Sequence, residues 1–272
     1  MAQPTPPNEP DSELLRRCWH FELDLDAEVS PRVEDAGDGF TAVLDTDLPL
    51  VWDSNYLVVE REDAGAEELA AKAEEVLGGL GMEHRQAYTR EPGWSTSLAR
   101  EMVGLGWEDQ RDVYMLLRRE PDREPGVEVE EVGLDEVRHV NQATILAEPW
   151  GTEEVAEQLH ERDRKFGEVC RDRWFAARSE GQIASTCRLM QFEGIGKVED
   201  VSTLEPARNQ GLARAVVLEA IRSSVADGDE LTFIVAEADD WPRQLYVRLG
   251  FDDLAEASAP QRKPEWARSA ES

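Results

Sequence analysis

Three short stretches in the second half of the chain carry the side chains best suited to chemistry. Val198-Glu-Asp-Val201 sets two adjacent carboxylates, Glu199 and Asp200, in a run that alternates apolar and polar residues through Leu204 like a strand. Arg208-Asn-Gln-Gly-Leu-Ala213 follows, and Leu212, Val216, Val217, Ala220 and Ile221 then recur at helical spacing. A glycine in such a strand-to-helix turn lets a ligand approach the backbone closely. The N–H groups that open the helix, helped by its dipole, can hold a diphosphate. Arg208 and Arg214 add positive charge at the same end. Further on, Tyr246-Val-Arg-Leu-Gly-Phe251 offers a phenol, a proton donor over the whole physiological range.

The elements that must position these groups follow in a definite order. After the strand, the glycine turn and the helix, Glu230 to Ala236 reads as a short buried strand. Asp239-Asp-Trp-Pro242 reads as a helix start with an acidic cap and a proline in its first turn, and that helix carries Tyr246 and ends at Gly250. This order, with Arg-x-x-Gly-x-Ala in the turn and a tyrosine just ahead of Gly-Phe, resembles the GNAT superfamily of acetyl-CoA-dependent N-acyltransferases. The resemblance covers roughly Val127 to Arg262.

The resemblance implies an α/β (α+β) fold, a mixed, mostly antiparallel twisted sheet flanked by helices, with acetyl-CoA as co-substrate. It also implies direct attack by a primary amine. A thioester is already activated, so the protein needs a base for the amine proton, N–H groups for the oxyanion and an acid for the leaving thiolate. By the same resemblance, Arg208, Asn209, Gln210, Gly211, Leu212, Ala213 and Arg214 hold the diphosphate. The backbone of Val201, Ser202 and Thr203 pairs with the pantetheine arm as an added strand does with a sheet edge, and Asp239 stands beside that arm. Tyr246 is the implied acid. Val198-Glu-Asp-Val201 also resembles the Val/Ile-Glu-Asp-Val/Ile run of the glucosamine-phosphate N-acetyltransferase branch, where acids of this strand are implicated near the amine. Strand alternation places Glu199 and Asp200 on opposite faces, so only one serves directly; Glu199 is the preferred base and Asp200 the alternative.

Several residues depart from the family pattern. Asn209 replaces a frequent glycine, although asparagine tolerates unusual backbone angles better than most. Asp239 stands where many members have an asparagine, and a carboxylate cannot donate. Glu205-Pro206 inverts the more frequent Pro-Glu. The segment from Phe251 to Arg262 is short in β-branched residues and contains Pro260, which predicts an edge or irregular strand. A non-catalytic acyl-CoA sensor or interaction protein on the same scaffold is the alternative function.

A chain of 272 residues predicts about two domains. Arg118 to Gly126, charged and holding two prolines, marks the boundary. The expected division is a disordered Pro-rich lead (1–12), a first domain (13–120), a linker (121–126), a second domain (127–263) and a tail (264–272). Within the second domain Val127 to Val132 is a strand. Leu134 to Phe166 gives two helices broken near Pro149-Trp-Gly151, and two strands flank the turn Ser179 to Gln182. The first domain reads as a worn copy of the second. Leu105-Gly106-Trp107-Glu-Asp109 matches Leu249-Gly250-Phe251-Asp-Asp253, and Ala66 to Leu77, Glu83 to Thr89 and Ser95 to Leu105 repeat helix, strand and helix. Met102 stands where Tyr246 would, and no phosphate turn precedes the Ala66 helix. The expectation is thus a tandem of GNAT-like domains, the second catalytic and the first without a CoA motif.

Composition narrows the partners. With 59 acidic against 29 basic residues the net charge is -30, which opposes binding to nucleic-acid phosphates and favours cationic ligands, while also serving solubility. Cys18, Cys170 and Cys187 lack paired spacing, which points to a reducing compartment, the cytoplasm, and away from a zinc site. The four histidines lie far apart, so no metal is expected. No apolar run approaches the ~20 residues that cross a bilayer, and the N-terminus lacks signal-peptide regions. The expected partner is a small-molecule amine, bound by a monomer or homodimer, in a pocket formed by the Leu134 to Phe166 helices with Trp150 in its lining.

Overall fold

The computed structural model describes residues 9–124, 126–238 and 242–268. In chain order the first half runs α1 (Asp11–Val29), β1 (Arg32–Gly37), β2 (Phe40–Leu44), β3 (Asn55–Val59), α2 (Ala66–Ala73), β4 (Arg85–Thr89), α3 (Pro92–Val103) and β5 (Glu108–Leu117). The second runs β6 (Glu130–Val132), α4 (Leu134–Ala147), α5 (Glu153–Val169), β7 (Arg171–Ser179), β8 (Gln182–Phe192), β9 (Ile195–Thr203), α6 (Leu212–Asp227), β10 (Leu231–Glu237), α7 (Pro242–Leu249), β11 (Phe251–Arg262) and α8 (Glu265–Arg268). The fold is the expected mixed, mostly antiparallel sheet flanked by helices, in two halves.

Local chemistry sets many of the boundaries. Glu180 and Gly181 (φ 52° and 82°) turn the β7–β8 hairpin, and Glu193 and Gly194 (φ 48° and 77°) turn β8 into β9. Paired positive φ values give a turn whose twist matches the strands it joins. Between α4 and α5 the chain breaks at Gly151, where a Cβ would stand 1.7 Å from the Ile145 carbonyl oxygen. Thr152 then caps α5, its hydroxyl accepting from the Val155 N–H at 3.1 Å.

All strands belong to one eleven-stranded sheet, ordered β1-β2-β3-β4-β11-β5-β10-β9-β8-β7-β6. Each half lends its last strand to the other. β5, from before the sequence-based cut at 121–126, lies against β10 from Phe233↔Leu116 to Glu237↔Asp112. β11 pairs with β5 over ten residue pairs and meets β4 at Gln261 and Arg262.

Two expectations are corrected here. β11 is a central strand rather than an edge, though a register shift between Asp253 and Ala255 makes it irregular. Pro260 is tolerated because pairing with β4 begins only at Gln261, and the small residues Ala257, Ser258 and Ala259 let α3 pack closely, with Ser95 Oγ donating to the Ser258 carbonyl. α1 begins at Asp11, within the expected disordered lead, and Glu265–Arg268 of the expected tail is helical. Trp266 there stands 6.3 Å from Trp52, ring centre to ring centre.

Hydrophobic clusters fill both faces of the sheet. α6 and α7 cover one face of the second half with Val216, Val217, Ile221 and Leu249 against Val198, Ile234 and Ala236. On the opposite face α1 lays Leu14, Cys18, Phe21 and Leu25 over β5 and β10, against Tyr114 and Phe233. The first half has its own cluster around Phe40, Leu57, Leu69 and Met102.

Candidate active site

The site begins where two strands part. Parallel pairing of β9 with β10 runs from Leu231↔Ile195 to Ile234↔Val198 and stops there, although β9 continues to Thr203 and β10 to Glu237. The edge of β9 from Glu199 to Thr203 that faces β10 therefore has no ladder partner. Its other edge stays paired to β8. Backbone groups left open along such an edge accept an extended, amide-bearing chain.

A bulge adjoins the opening. Arg188 pairs with Glu199 and Thr186 with Ser202, so Cys187 faces two residues, Asp200 and Val201, and Asp200 takes a φ of 50°. Strand alternation breaks at this point. Glu199 and Asp200 both line the same cavity, with Ser202, while Val201 packs toward the α6 side. The expectation that the two carboxylates lie on opposite faces is thus corrected: the extra residue turns Asp200 to the side of Glu199.

On the α6 side of the opening lies the predicted phosphate turn. A 3-10 turn at Glu205–Ala207 leads into Arg208, then Asn209 (φ 64°) and Gly211 (φ 82°), the residue before α6. No side chain caps α6, and a Cβ on Gly211 would meet nothing within 4 Å. A diphosphate fits such an open helix start. Arg208 is exposed, its Nε 3.4 Å from the Thr203 carbonyl oxygen. Gln210 is fixed by Pro206 and Ser179. Arg214, expected to add charge to the turn, is instead buried and donates to Asp122 at 2.5 Å.

On the other face of the sheet a cavity of about 470 Å³ reaches the opening. Its walls come from α4 and α5 (Asn141, Thr144, Ile145, Arg162, Phe166), from Trp150 between them, and from β9 and β10. The first half supplies the rest: Trp19, Glu22 and Asp26 of α1, Asp53, Tyr88 of β4 and Asp112 and Tyr114 of β5. Sequence reasoning did not foresee this contribution. The signal was available in α1, where Leu14, Cys18, Phe21 and Leu25 form an apolar stripe at helical spacing.

Eight carboxylates and three cationic side chains line the cavity, and each cation is already shared. Lys197 bridges Glu199 and Glu22, the latter at 2.5 Å. Arg162 pairs with Asp26 at 3.3 Å. Arg188, buried between the rings of Phe166 and Trp174, contacts Asp163 and Asp172 at 2.7 Å each and Asp200 at 3.4 Å. Burial pushes the Asp200 carboxyl above its ordinary range, with the Arg188 guanidinium opposing and Glu199 adding to the rise. Burial likewise pushes Asp26 up to about 7 against the pull of Arg162. Asp112 also rises to about 7, from burial first and then from Glu22 and Glu237.

Tyr246 stands elsewhere. It is 7% exposed, in the cluster that holds Ile234, Ala236 and Leu212, with its ring 6.4 Å from that of Phe251. It does not line the cavity; it lies on the α6 face, with the phosphate turn. Asp239 lies outside the described residues. Among those described, no group of His, Cys, Asp and Glu could hold a metal ion, and no helix is long and apolar enough to cross a membrane. The three cysteines are buried and free.

Residues 134–251 match the model of the acetyltransferase (GNAT) family. No curated protein matches the chain. A GCN5-related N-acetyltransferase from Kribbella flavida superposes with a TM-score of 0.60 at 19% identity, over 90% of this chain and 93% of its own. Another from Sphaerobacter thermophilus gives 0.57 at 19%, over 96% and 94%. A tandem GNAT protein from the clavulanic acid biosynthesis pathway gives 0.55 at 14%, over 96% and 97%. At these identities the likeness is one of fold. Residues 134–251 are a domain of the acetyltransferase (GNAT) family, and the chain as a whole has the tandem GNAT fold.

Proposed function

We propose that this protein transfers the acetyl group of acetyl-CoA to the primary amine of a small molecule, in the cytoplasm. The observation that carries the reading is the parting of β9 from β10 beyond Val198 and Ile234, between an uncapped helix start on one face and an acid-lined cavity on the other. Acetyl-CoA, when bound, supplies an acyl group already activated as a thioester. Leu212, Ala213 and Arg214 offer backbone N–H groups to its diphosphate, with Arg208 as the nearby charge, and Val201 to Thr203 offer the open strand edge to its arm.

The acceptor amine enters from the cavity. Lys197 holds the Glu199 carboxylate in an ion pair, whereas Asp200, 3.4 Å from Arg188, has its carboxyl pushed above the ordinary range by burial and lines the cavity beside the opening. A base works best with a pKa near the working pH. Asp200 is therefore assigned to take the amine proton, and Glu199, preferred from sequence, to fix Lys197 and the local charge. Tyr246, on the face of the phosphate turn, is assigned to protonate the departing thiolate.

The test is a screen of primary amines with acetyl-CoA, following free thiol and the mass of the acylated product. Amine-dependent thiol release is expected, with Asp200→Asn lowering turnover about 10²-fold and Glu199→Gln less. Binding of acetyl-CoA with no thiol release from any amine would replace this reading with a non-catalytic acyl-CoA sensor.

A further inference from the structure

The charges of the cavity do not balance internally. Lys197, Arg162 and Arg188 are all engaged by Glu22, Glu199, Asp26, Asp163 and Asp200. Asp53, Asp112 and Glu237 also line the cavity, and none of them has a cationic partner among the described residues. Asp53 accepts from Gln86 and Tyr88, and Asp112 from Gln110, all neutral donors.

Two of these three carboxylates oppose each other in the sheet. Asp112 of β5 and Glu237 of β10 are direct partners on the antiparallel ladder, where side chains stand about 5 Å apart and like charges destabilise the pair. The neighbouring walls are aromatic, from Trp19, Tyr88, Tyr114 and Trp150. Ring faces attract a cation and its apolar stem together. Along β10, Glu237 lies two residues beyond Val235, which borders the opening; that is roughly 7 Å of strand, the reach of a short alkyl chain.

Resting on the acetyltransferase reading above, we infer that the acceptor is a diamine: one amino group reacts at the opening while a second, protonated group is held between Asp112 and Glu237, with Asp53 adding to the field. A bound ammonium would relieve the repulsion between the Asp112 and Glu237 carboxylates. Burial first, and then the Glu22 and Glu237 carboxylates, push the Asp112 carboxyl up to about 7, so the same neighbours that crowd it would favour a cation beside it.

The experiment compares diaminopentane, n-pentylamine and aminopentanol as acceptors for the full chain, with calorimetric binding of each measured beside turnover. Expected is a kcat/KM for diaminopentane about 100-fold above that for pentylamine, with aminopentanol resembling pentylamine because it keeps polarity without charge. Asp112→Asn and Glu237→Gln should each narrow that ratio about tenfold, through the KM for the diamine. Both variants remove a repulsion, so thermal melts should show them folded. Equal kcat/KM for diamine and monoamine, or a ratio untouched by either variant, would overturn the inference while leaving the acetyltransferase reading intact. If no amine is turned over, binding decides: tighter binding of diaminopentane that weakens in Asp112→Asn supports the second-charge site, and equal binding of the two amines overturns it.

Discussion

The two halves of this molecule use one arrangement, a parallel strand pair followed by helices, and bring it to different ends. In the first half β3 and β4 stay paired through Val59↔Thr89, and the Arg90 N–H continues the contact to the Val59 carbonyl at 2.8 Å. The Trp19 indole N–H of α1 takes the Thr89 carbonyl at 2.9 Å. In the second half β9 carries the Asp200 bulge and leaves β10 after Val198. The turns differ too. Gly211 has a φ of 82° before the open α6, whereas Gly65 before α2 has a φ of -84°, and nearby Arg61 is taken up by Asp63 and Glu68. A bulge and a left-handed glycine distinguish a cleft that can admit a cofactor from a closed sheet. The first half supplies a wall instead: α1 and β5 bring Glu22, Asp26, Asp112 and Tyr114 to the cavity.

Because the halves exchange strands, cutting between them should have the largest effect. A chain beginning at Gly126 lacks β5 and exposes β10 and β11 along their length; it is expected to aggregate rather than fold, a loss visible in size-exclusion chromatography. A monodisperse, folded fragment would show the exchange to be dispensable.

The matched glycines sharpen the comparison next. A Cβ on Gly250 (φ 104°) would stand 2.0 Å from the Arg119 carbonyl oxygen, and the Gly250 carbonyl accepts from both Arg118 and Arg119 at 3.0 Å. At Gly106 (φ 82°) a Cβ meets nothing within 4 Å. Gly250→Ala should cost about 3 kcal/mol, and Gly106→Ala about 1 kcal/mol from backbone strain alone, as read by urea denaturation. Equal costs would remove the structural distinction.

Tyr246 and Met102 occupy matched places with different chemistry. Tyr246→Phe keeps the ring packing and should lower turnover about 10²-fold with cofactor affinity nearly unchanged. Met102, buried in the first-half cluster, should affect stability and not catalysis when changed to Leu. Full activity in Tyr246→Phe with a true acceptor would reduce Tyr246 to a packing residue.

The shared wall should also show a pH dependence. Folding raises Asp112 and Asp26 to about 7 from an unfolded value near 3.9. The folded state therefore binds these protons more tightly. Its gain is complete below the unfolded value and is lost as pH climbs toward about 7. Tm should fall between about pH 5 and about pH 8, and Asp112→Asn should narrow that fall; an unchanged profile would show that these acids are not shifted by the cavity.

Much of this was legible in the sequence, and what was missed has physical causes. The glycine turn, its helix and the break at Pro149-Trp-Gly151 announce themselves because short-range chemistry fixes them. Trp150, expected in the acceptor pocket, lines the cavity. The bulge at Asp200 was not legible: alternation of side chains is a rule for an unbroken ladder, and an extra residue leaves no mark in composition. The exchange of β5 and β11 was hidden for a similar reason, since both strands read the same whichever half they join. Pro260 argued for an edge because a missing N–H is usually excluded from a central strand; here one side of β11 is unpaired until Gln261. The pairing of Arg214 with Asp122 joins positions far apart in the chain, and no local pattern reveals it.

The contrast between the halves is tested most directly by calorimetric titration of acetyl-CoA into the full chain and into Gly211→Glu. One site per chain is expected. The variant places a carboxylate at the helix start and at a positive φ, and should bind at least about 30-fold more weakly while remaining folded. Two sites per chain, or undiminished affinity in the folded variant, would contradict the assignment of the cofactor to the parted strands and glycine turn of the second half.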